Sequence, residues 1–431
     1  MDKACRTRRA YLVEALWEYM IALLVADAFL AAILKQVGVS DAVTGVSDAV
    51  TGVVSSFLSF ACVAQLFSSS VVKPGQPVRK VILILDLVNQ LMFAFLYMTP
   101  FLPLPQGVKV GLFVILILTA NLILNATLPQ KFQWLNSFVN PCERGQFTAR
   151  KEIVSLIGGM LFTLAMGCLV DHFKAIGQEQ TGFILCGVTL FVVAIAHLIS
   201  LLMCSDATIA PSSAQRTSLT ATFRLIAENG TVRRLLLIDI LWKIAFYLST
   251  PYYGTYLIGE LGFSLTFVSL LHIGYSLLRA VFSPWFGRIG DRRGWASLLT
   301  LGLVIVASGF LANAFTTPSR RYLYLVYYAL YAISMAGINT SLYNMNYDYL
   351  DEAAFSNALG ARNAISGVIG FLASLLGGAI VGAIQSAGNR LWGIAVYAQQ
   401  VNSLISFAVI LVLLLYMRTV IRRLPRRAER A

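Results

Sequence analysis

Twelve apolar runs, each about as long as a bilayer is thick, constrain this chain more than any other feature. They fall at roughly 12–34, 49–67, 80–100, 107–128, 153–172, 180–203, 234–258, 264–286, 296–316, 321–343, 362–385 and 393–417. A helix rises about 1.5 Å per residue, so about 20 apolar residues cover a hydrocarbon core of roughly 30 Å. Inside hydrocarbon every backbone N–H and C=O has to be satisfied without water, which only helices and closed barrels achieve. Runs of this length predict helices. The expected fold class is therefore an all-α polytopic membrane protein with twelve transmembrane helices.

Charge is distributed to match. Only 12% of residues are charged, against about 25% in soluble domains. A net charge of +13 on a soluble surface would suggest nucleic acid. Here the basic residues sit in short segments between apolar runs, so the positive-inside rule accounts for them and no nucleic-acid partner is expected. With the N-terminus inside, 25 of the 33 lysines and arginines fall in inside segments and six in outside segments, while Lys243 and Arg279 lie within spans. This bias predicts a multi-pass protein of the cell membrane with both termini cytoplasmic. The first run passes Leu30 without a small-residue cleavage site and is expected to persist as a helix. Six scattered cysteines with no C-x-x-C pair predict neither a disulfide framework nor a metal site. No cofactor is expected.

The longest polar segment, rich in Ser, Thr and Ala, lies between spans six and seven. It divides the chain into an N-terminal six-helix bundle (1–204), a cytoplasmic linker (205–233), a C-terminal six-helix bundle (234–418) and a basic cytoplasmic tail (419–431). A tandem duplication, Ser40–Val46 repeated as Ser47–Val53, lies at the outer end of span two. Seven residues are close to two helical turns, so the insertion would rotate a helix face by only about 20°.

Between spans eight and nine stands Gly287-Arg288-Ile289-Gly290-Asp291-Arg292-Arg293-Gly294. It reads as a tight basic loop in which Gly287, Gly290 and Gly294 allow the turn. Asp291 can accept hydrogen bonds from the next helix or pair with a neighbouring arginine. This Gly-x-x-x-Asp-Arg-x-Gly pattern resembles the loop that major facilitator superfamily transporters carry between helices 2 and 3 and again between helices 8 and 9. Trp295 stands where that family usually has a second basic residue. The polar stretches Pro141–Gln146 and Asp351–Asn357 resemble its short linkers before helices five and eleven. The resemblance implies two pseudo-symmetric six-helix bundles that rock about a midplane site, with Gly287, Gly290, Asp291, Arg292 and Gly294 forming a latch that stabilises the outward-open state. The equivalent loop at 68–80 has no aspartate, so the latch is expected only in the second half.

Ionisable groups in hydrocarbon are costly and are candidates for function. Lys243 lies near the midplane of span seven. Asp239 sits four residues earlier on the same face, where it could pair with it, and Tyr247 and Thr250 continue the stripe. Glu14 and Glu18 share a face at the cytoplasmic end of span one. Glu18 is read as interfacial, and Asp27, on the opposite face, as the buried carboxylate and candidate proton carrier. In span eight His272, Tyr275 and Arg279 form a stripe. The family's cavity is lined by spans one, four, seven and ten, so the resemblance implies ligand contacts at Asn121, Asn125, Asn339 and Tyr343. Interhelical hydrogen bonding is the alternative role for the asparagines, and packing for His272. Asp239, Lys243, Tyr247 and His272 complete the expected substrate-binding set.

The expected function is secondary active transport of a small solute by alternating access, with proton coupling a candidate property. A transporter-like solute sensor without flux is the rival reading. An intramembrane enzyme is disfavoured: the chain has no H-E-x-x-H, G-x-S-x-G or P-loop motif, and His172, His197 and His272 are dispersed. The partners expected are a small-molecule substrate and the lipid bilayer, with the protein monomeric.

Overall fold

The computed structural model describes residues 3–38, 47–72, 76–139, 144–206, 224, 226–349, 352–391 and 394–424. They are helical almost throughout. The chain divides into two compact units: residues 1–47, 61–216 and 263–269 form unit 1, and residues 48–60, 217–262 and 270–431 form unit 2.

Two helices cover the first expected span. α1 (Lys3–Leu24) and α2 (Asp27–Gln36) are bent by 52° across their junction. Ala26 is extended there (φ −128°, ψ 166°). The break puts Asp27 at the first position of α2, where the helix dipole favours an acidic residue. The second span, Ala49–Phe67, is also interrupted: α3 (Ser47–Ser55), α4 (Phe57–Ala61) and a 3-10 stretch (Cys62–Phe67) lead into α5 (Ser68–Val71). The long helices α6 (Val78–Leu96), α7 (Gln106–Asn136), α8 (Arg144–Ala175) and α9 (Glu179–Met203) follow.

In unit 2, Asn229 caps α10 (Gly230–Ser249) by accepting hydrogen bonds from Thr231 N and Val232 N at 3.0 and 3.2 Å. A 3-10 turn, α11 (Tyr253–Thr255) and a π turn (Tyr256–Glu260) extend it. Then come α12 (Leu265–Arg293), α13 (Trp295–Asn313), α14 (Leu323–Tyr349) and α15 (Glu352–Ser386). A two-residue hairpin (Arg390–Leu391 with Ile394–Ala395) precedes α16 (Ala398–Thr419).

Ten helices among the described residues are long and apolar enough to cross a membrane, and the bent α1–α2 pair makes an eleventh. α6, expected as span three, falls short because Arg79, Lys80 and Asp86 crowd its 19 residues. Helix pairing repeats between the units. In unit 1, α1 packs on α8 and α9, and α6 on α7 and α9. In unit 2, α10 packs on α15 and α16, and α13 on α14 and α16. These pairings are equivalent when spans one to six are matched with seven to twelve, as a parallel internal repeat requires. Small residues permit the closest approaches: Gly377 of α15 lies against the backbone of Leu248 in α10.

The expected loop at 287–294 is largely helix. α12 continues through Arg293 and α13 begins at Trp295, leaving Gly294 as the only residue between them. Its φ of +86° needs a glycine, and its N–H donates to Gly290 O at 2.8 Å. Gly290 is needed for a different reason. A Cβ there would lie 2.5 Å from the ring of Trp295, so the tryptophan in the atypical motif position closes the turn by packing.

Candidate functional site

Unit 1 contains a buried charge network that no single stretch of sequence announces. Tyr11, Glu14 and Glu18 recur at helical spacing on α1 and so share one face. α6 contributes Asp86, α7 Lys131 and α9 His197. Glu14, Asp86, Lys131 and His197 are each 1% exposed. Lys131 Nζ lies 2.5 Å from Glu14 Oε1, 2.9 Å from Asp86 Oδ2 and 3.2 Å from Glu18 Oε2. His197 Nε2 lies 3.2 Å from Glu14 Oε1 and 3.5 Å from Lys131 Nζ. Glu18 alone in this set keeps contact with its surroundings, at 23% side-chain exposure.

The placement has a local cause. Lys131 stands in the part of α7 beyond Pro129, close to the helix end. A buried ammonium is held only by close anionic partners, and three carboxylates supply them. Beside the network, Tyr11, Trp134, Leu135 and Leu201 belong to one buried apolar cluster. Trp134 Nε1 donates to Ser205 O at 3.0 Å, and Lys151 Nζ donates to Tyr11 Oη at 3.1 Å. Apolar packing thus covers the ionic groups.

Unit 2 presents a different surface. Tyr324, Tyr327, Tyr328 and Tyr331 recur at helical spacing on α14. Tyr331 stacks on Tyr275 of α12 with centroids 5.6 Å apart, and Tyr328 meets His272 edge-on at 6.2 Å. Phe246 of α10 approaches both Tyr331 and Tyr247. Tyr247, Tyr275, Tyr328 and Tyr331 remain half-buried, so each ring keeps part of its surface uncovered.

A family model described as MFS/sugar transport protein matches residues 17–425. The chain belongs to this family. The major facilitator resemblance read from residues 287–294 is thereby borne out, and the all-helical membrane fold with it. Among curated proteins, none matches the sequence. Solved structures do match. A D-xylose-proton symporter superposes with a TM-score of 0.71 at 13% identity, covering 96% of this chain and 96% of that one. The nucleoside transporter NupG gives 0.67 at 13%, covering 98% and 100%. The xylose transporter XylE from E. coli, in a partially occluded inward-open conformation, gives 0.67 at 13%, covering 97% and 100%. At such identities the likeness is one of fold.

Within this MFS chain the residues singled out from sequence fall into several environments. Asp239 meets a different cation from the one expected: Arg362 Nε lies 2.5 Å from Asp239 Oδ2. Arg362, placed by sequence at the edge of span eleven and counted as cytoplasmic, is 2% exposed within α15. Lys243 Nζ sits 5.1 Å from the ring centroid of Tyr247, a cation–π contact. His272 Nδ1 is 3.4 Å from Tyr328 Oη.

Asn121 donates to Ile117 O of its own helix at 2.8 Å, and Asn125 accepts from Gln65 Nε2 at 2.9 Å. Asn339 and Tyr343 are exposed on α14. Gly287 lies within α12, and Asp291 and Arg292 are exposed at its end. Asp291 makes none of the expected contacts, because α13 has no side-chain cap and Asp291 has no ion pair among the described residues. The side chain of Asp27 lies outside the described residues, as do Lys73 to Gly75, Cys142 and the whole first copy of the duplication, Ser40–Val46.

Three readings are revised in unit 1. Glu14, read as sharing the cytoplasmic end with an interfacial Glu18, is fully enclosed, because α1 packs on both α8 and α9. The histidines are dispersed in sequence, yet His197 does meet carboxylates in space. Lys131 belongs to the segment counted as a cytoplasmic loop, but α7 outlasts its apolar run and carries the lysine inward. The available signals were the i, i+4 glutamates and Asp86 in an apolar run. The tyrosine stripe on α14 was also legible as a pattern.

Proposed function

We propose that this chain is a secondary transporter that carries a small ring-bearing, hydroxylated solute, of the sugar or nucleoside class, by alternating access. Both termini lie on the cytoplasmic side of the cell membrane, and the proton is the coupling ion. The observation that carries the substrate reading is the half-buried aromatic stripe of unit 2, where Tyr275, Tyr328, Tyr331 and Tyr247 stand beside His272 and Lys243. Aromatic faces pack against the C–H face of a sugar or against a nucleobase. The phenol, imidazole and ammonium groups offer hydrogen bonds to hydroxyls. The family description, a sugar transport protein, supports the same class. Asp27 and the unit 1 network are the candidate carriers of the proton.

Uptake of radiolabelled D-xylose, D-glucose and uridine into proteoliposomes holding the full chain tests this reading. Saturable uptake of at least one of them above protein-free vesicles, weakened at least tenfold by Tyr331→Ala with the protein still folded, is the expected result. Saturable binding without flux would favour a solute sensor. Neither binding nor flux of any of the three would overturn the substrate class.

A further inference from the structure

Deep in the spans of unit 2 the sequence places three cations, Lys243, Arg279 and Arg362, and one acid, Asp239. Asp239 and Arg362 neutralise each other: Arg362 Nε lies 2.5 Å from Asp239 Oδ2, and both residues are buried. Cations therefore outnumber acids by two in these spans. Lys243 and Arg279, unlike that pair, are only half-buried. A cation within a span has to face water or protein, and these two keep part of their surface open.

They stand at one depth beside one surface. At about 1.5 Å per residue, Lys243 lies about 20 Å along α10 from Gly230, and Arg279 about 20 Å along α12 from Arg293. Successive spans run in opposite directions, so Gly230 and Arg293 mark the same membrane face. The tyrosine stripe connects the two cations. Lys243 Nζ stands over the Tyr247 ring at 5.1 Å. Phe246 joins Tyr247 to Tyr331, and Tyr331 stacks on Tyr275 at 5.6 Å. Arg279 is one turn beyond Tyr275 on the same face of α12. Close packing on α15 holds the Lys243 end in place: a Cβ on Gly370 would lie 2.9 Å from the Tyr247 ring and 3.3 Å from Lys243 Cβ.

A neutral sugar does not call for this arrangement. Amides and phenols serve hydroxyls as well, without the desolvation cost of an ion. A guanidinium and an ammonium flanking aromatic faces match a ring that has an oxyanion attached. The guanidinium can hold a carboxylate or phosphate through two parallel N–H donors, and the ammonium acts as a point charge.

We propose, resting on the sugar or nucleoside reading of this surface, that the preferred solute carries an oxyanion, a carboxylate or a phosphate. Lys243 and Arg279 bind the oxyanion while the tyrosines take the ring. The bound oxyanion offsets the excess positive charge, so the loaded surface is closer to neutral than the empty one. A solute bearing an ammonium group is rejected by the same two charges.

Calorimetric binding to the full chain in detergent tests this with three pairs of neutral and anionic solutes. They are D-glucose with D-glucuronate, D-glucose with D-glucose 6-phosphate, and uridine with uridine 5′-monophosphate. Within at least one pair the anionic member should bind at least tenfold tighter; the first pair reads a carboxylate and the other two a phosphate. Lys243→Gln and Arg279→Gln should each bring that ratio below threefold, and Arg279→Lys should keep more of it than Arg279→Gln. Tyr331→Ala should weaken both members and leave the ratio standing. Should Lys243→Gln fail to fold, Arg279→Gln reads the same ratio. Neutral members bound with no preference for the anionic ones would overturn the proposal and leave the sugar or nucleoside reading intact. So would a preference that survives both glutamine variants. Binding of no member of any pair would remove that reading, and this proposal with it.

Discussion

Lys131 Nζ lies 2.5 Å from Glu14 Oε1, tying the end of α7 to the middle of α1 inside unit 1. The contact joins residues far apart in sequence, and Asp86 and His197 converge on the same two groups. Ionic groups this deep persist only when each neutralises another, so the network acts as one unit in both stability and chemistry.

The first consequence concerns stability. Lys131→Met strands Glu14 and Asp86 as buried carboxylates, which should cost about 3–5 kcal/mol. Combining it with Glu14→Gln and Asp86→Asn should recover most of that loss, since no buried charge is left alone. Thermal inactivation in detergent, followed by size exclusion, compares the three proteins. A single variant as stable as wild type would show that the network contributes nothing to folding.

In unit 2 Asp239 and Arg362 form a buried ion pair. Asp239→Asn leaves a guanidinium buried without its carboxylate and should destabilise by about 3–5 kcal/mol. Lys243→Met removes the cation–π contact with Tyr247 and should cost about 1 kcal/mol. Equal losses from the two variants would instead favour the pairing of Asp239 with Lys243.

Lys243 is half-buried, and an ammonium in a span has to face water or protein. In a cysteine-free background, Lys243→Cys should react with a membrane-impermeant thiol reagent, and a transported solute should slow the reaction. Absence of labelling from both sides of the membrane would remove Lys243 from the solute path.

Asp291 is exposed at the end of α12 and has no ion pair among the described residues. Any latch it provides must therefore form in another conformation. Asp291→Asn should then shift the population toward inward-facing by roughly a few-fold to tenfold. Distances between spin labels across the extracellular mouth read that shift. Identical distributions for wild type and variant would leave residues 287–294 as a tight turn only.

The helices and their repeat were legible in sequence because bilayer thickness fixes run length, and the 287–294 pattern carried the family. What could not be read was where helices outlast their apolar runs. α7 continues past its run to Asn136 and α15 begins before its own, so Lys131 and Arg362 sat in segments counted as loops, although both are buried. Positive-inside counting treats every basic residue near a span end as solvated, and carboxylates on other helices reverse that assumption. The motif at 287–294 misled in the opposite direction: its glycines suggested a loop, yet helix geometry holds until Gly294, the one residue with positive φ. His197 gave no local signal. Its partner lies 183 positions away.

Proton movement in pyranine-loaded proteoliposomes tests the central claim most directly. Adding D-xylose, D-glucose or uridine outside, with no pH gradient, should acidify the lumen as solute and proton enter together. Glu14→Gln should abolish the acidification while solute exchange across the membrane continues, and Asp27→Asn should leave it intact if the network is the carrier. Solute entry without acidification in the wild type, or undiminished acidification in Glu14→Gln, would contradict the account.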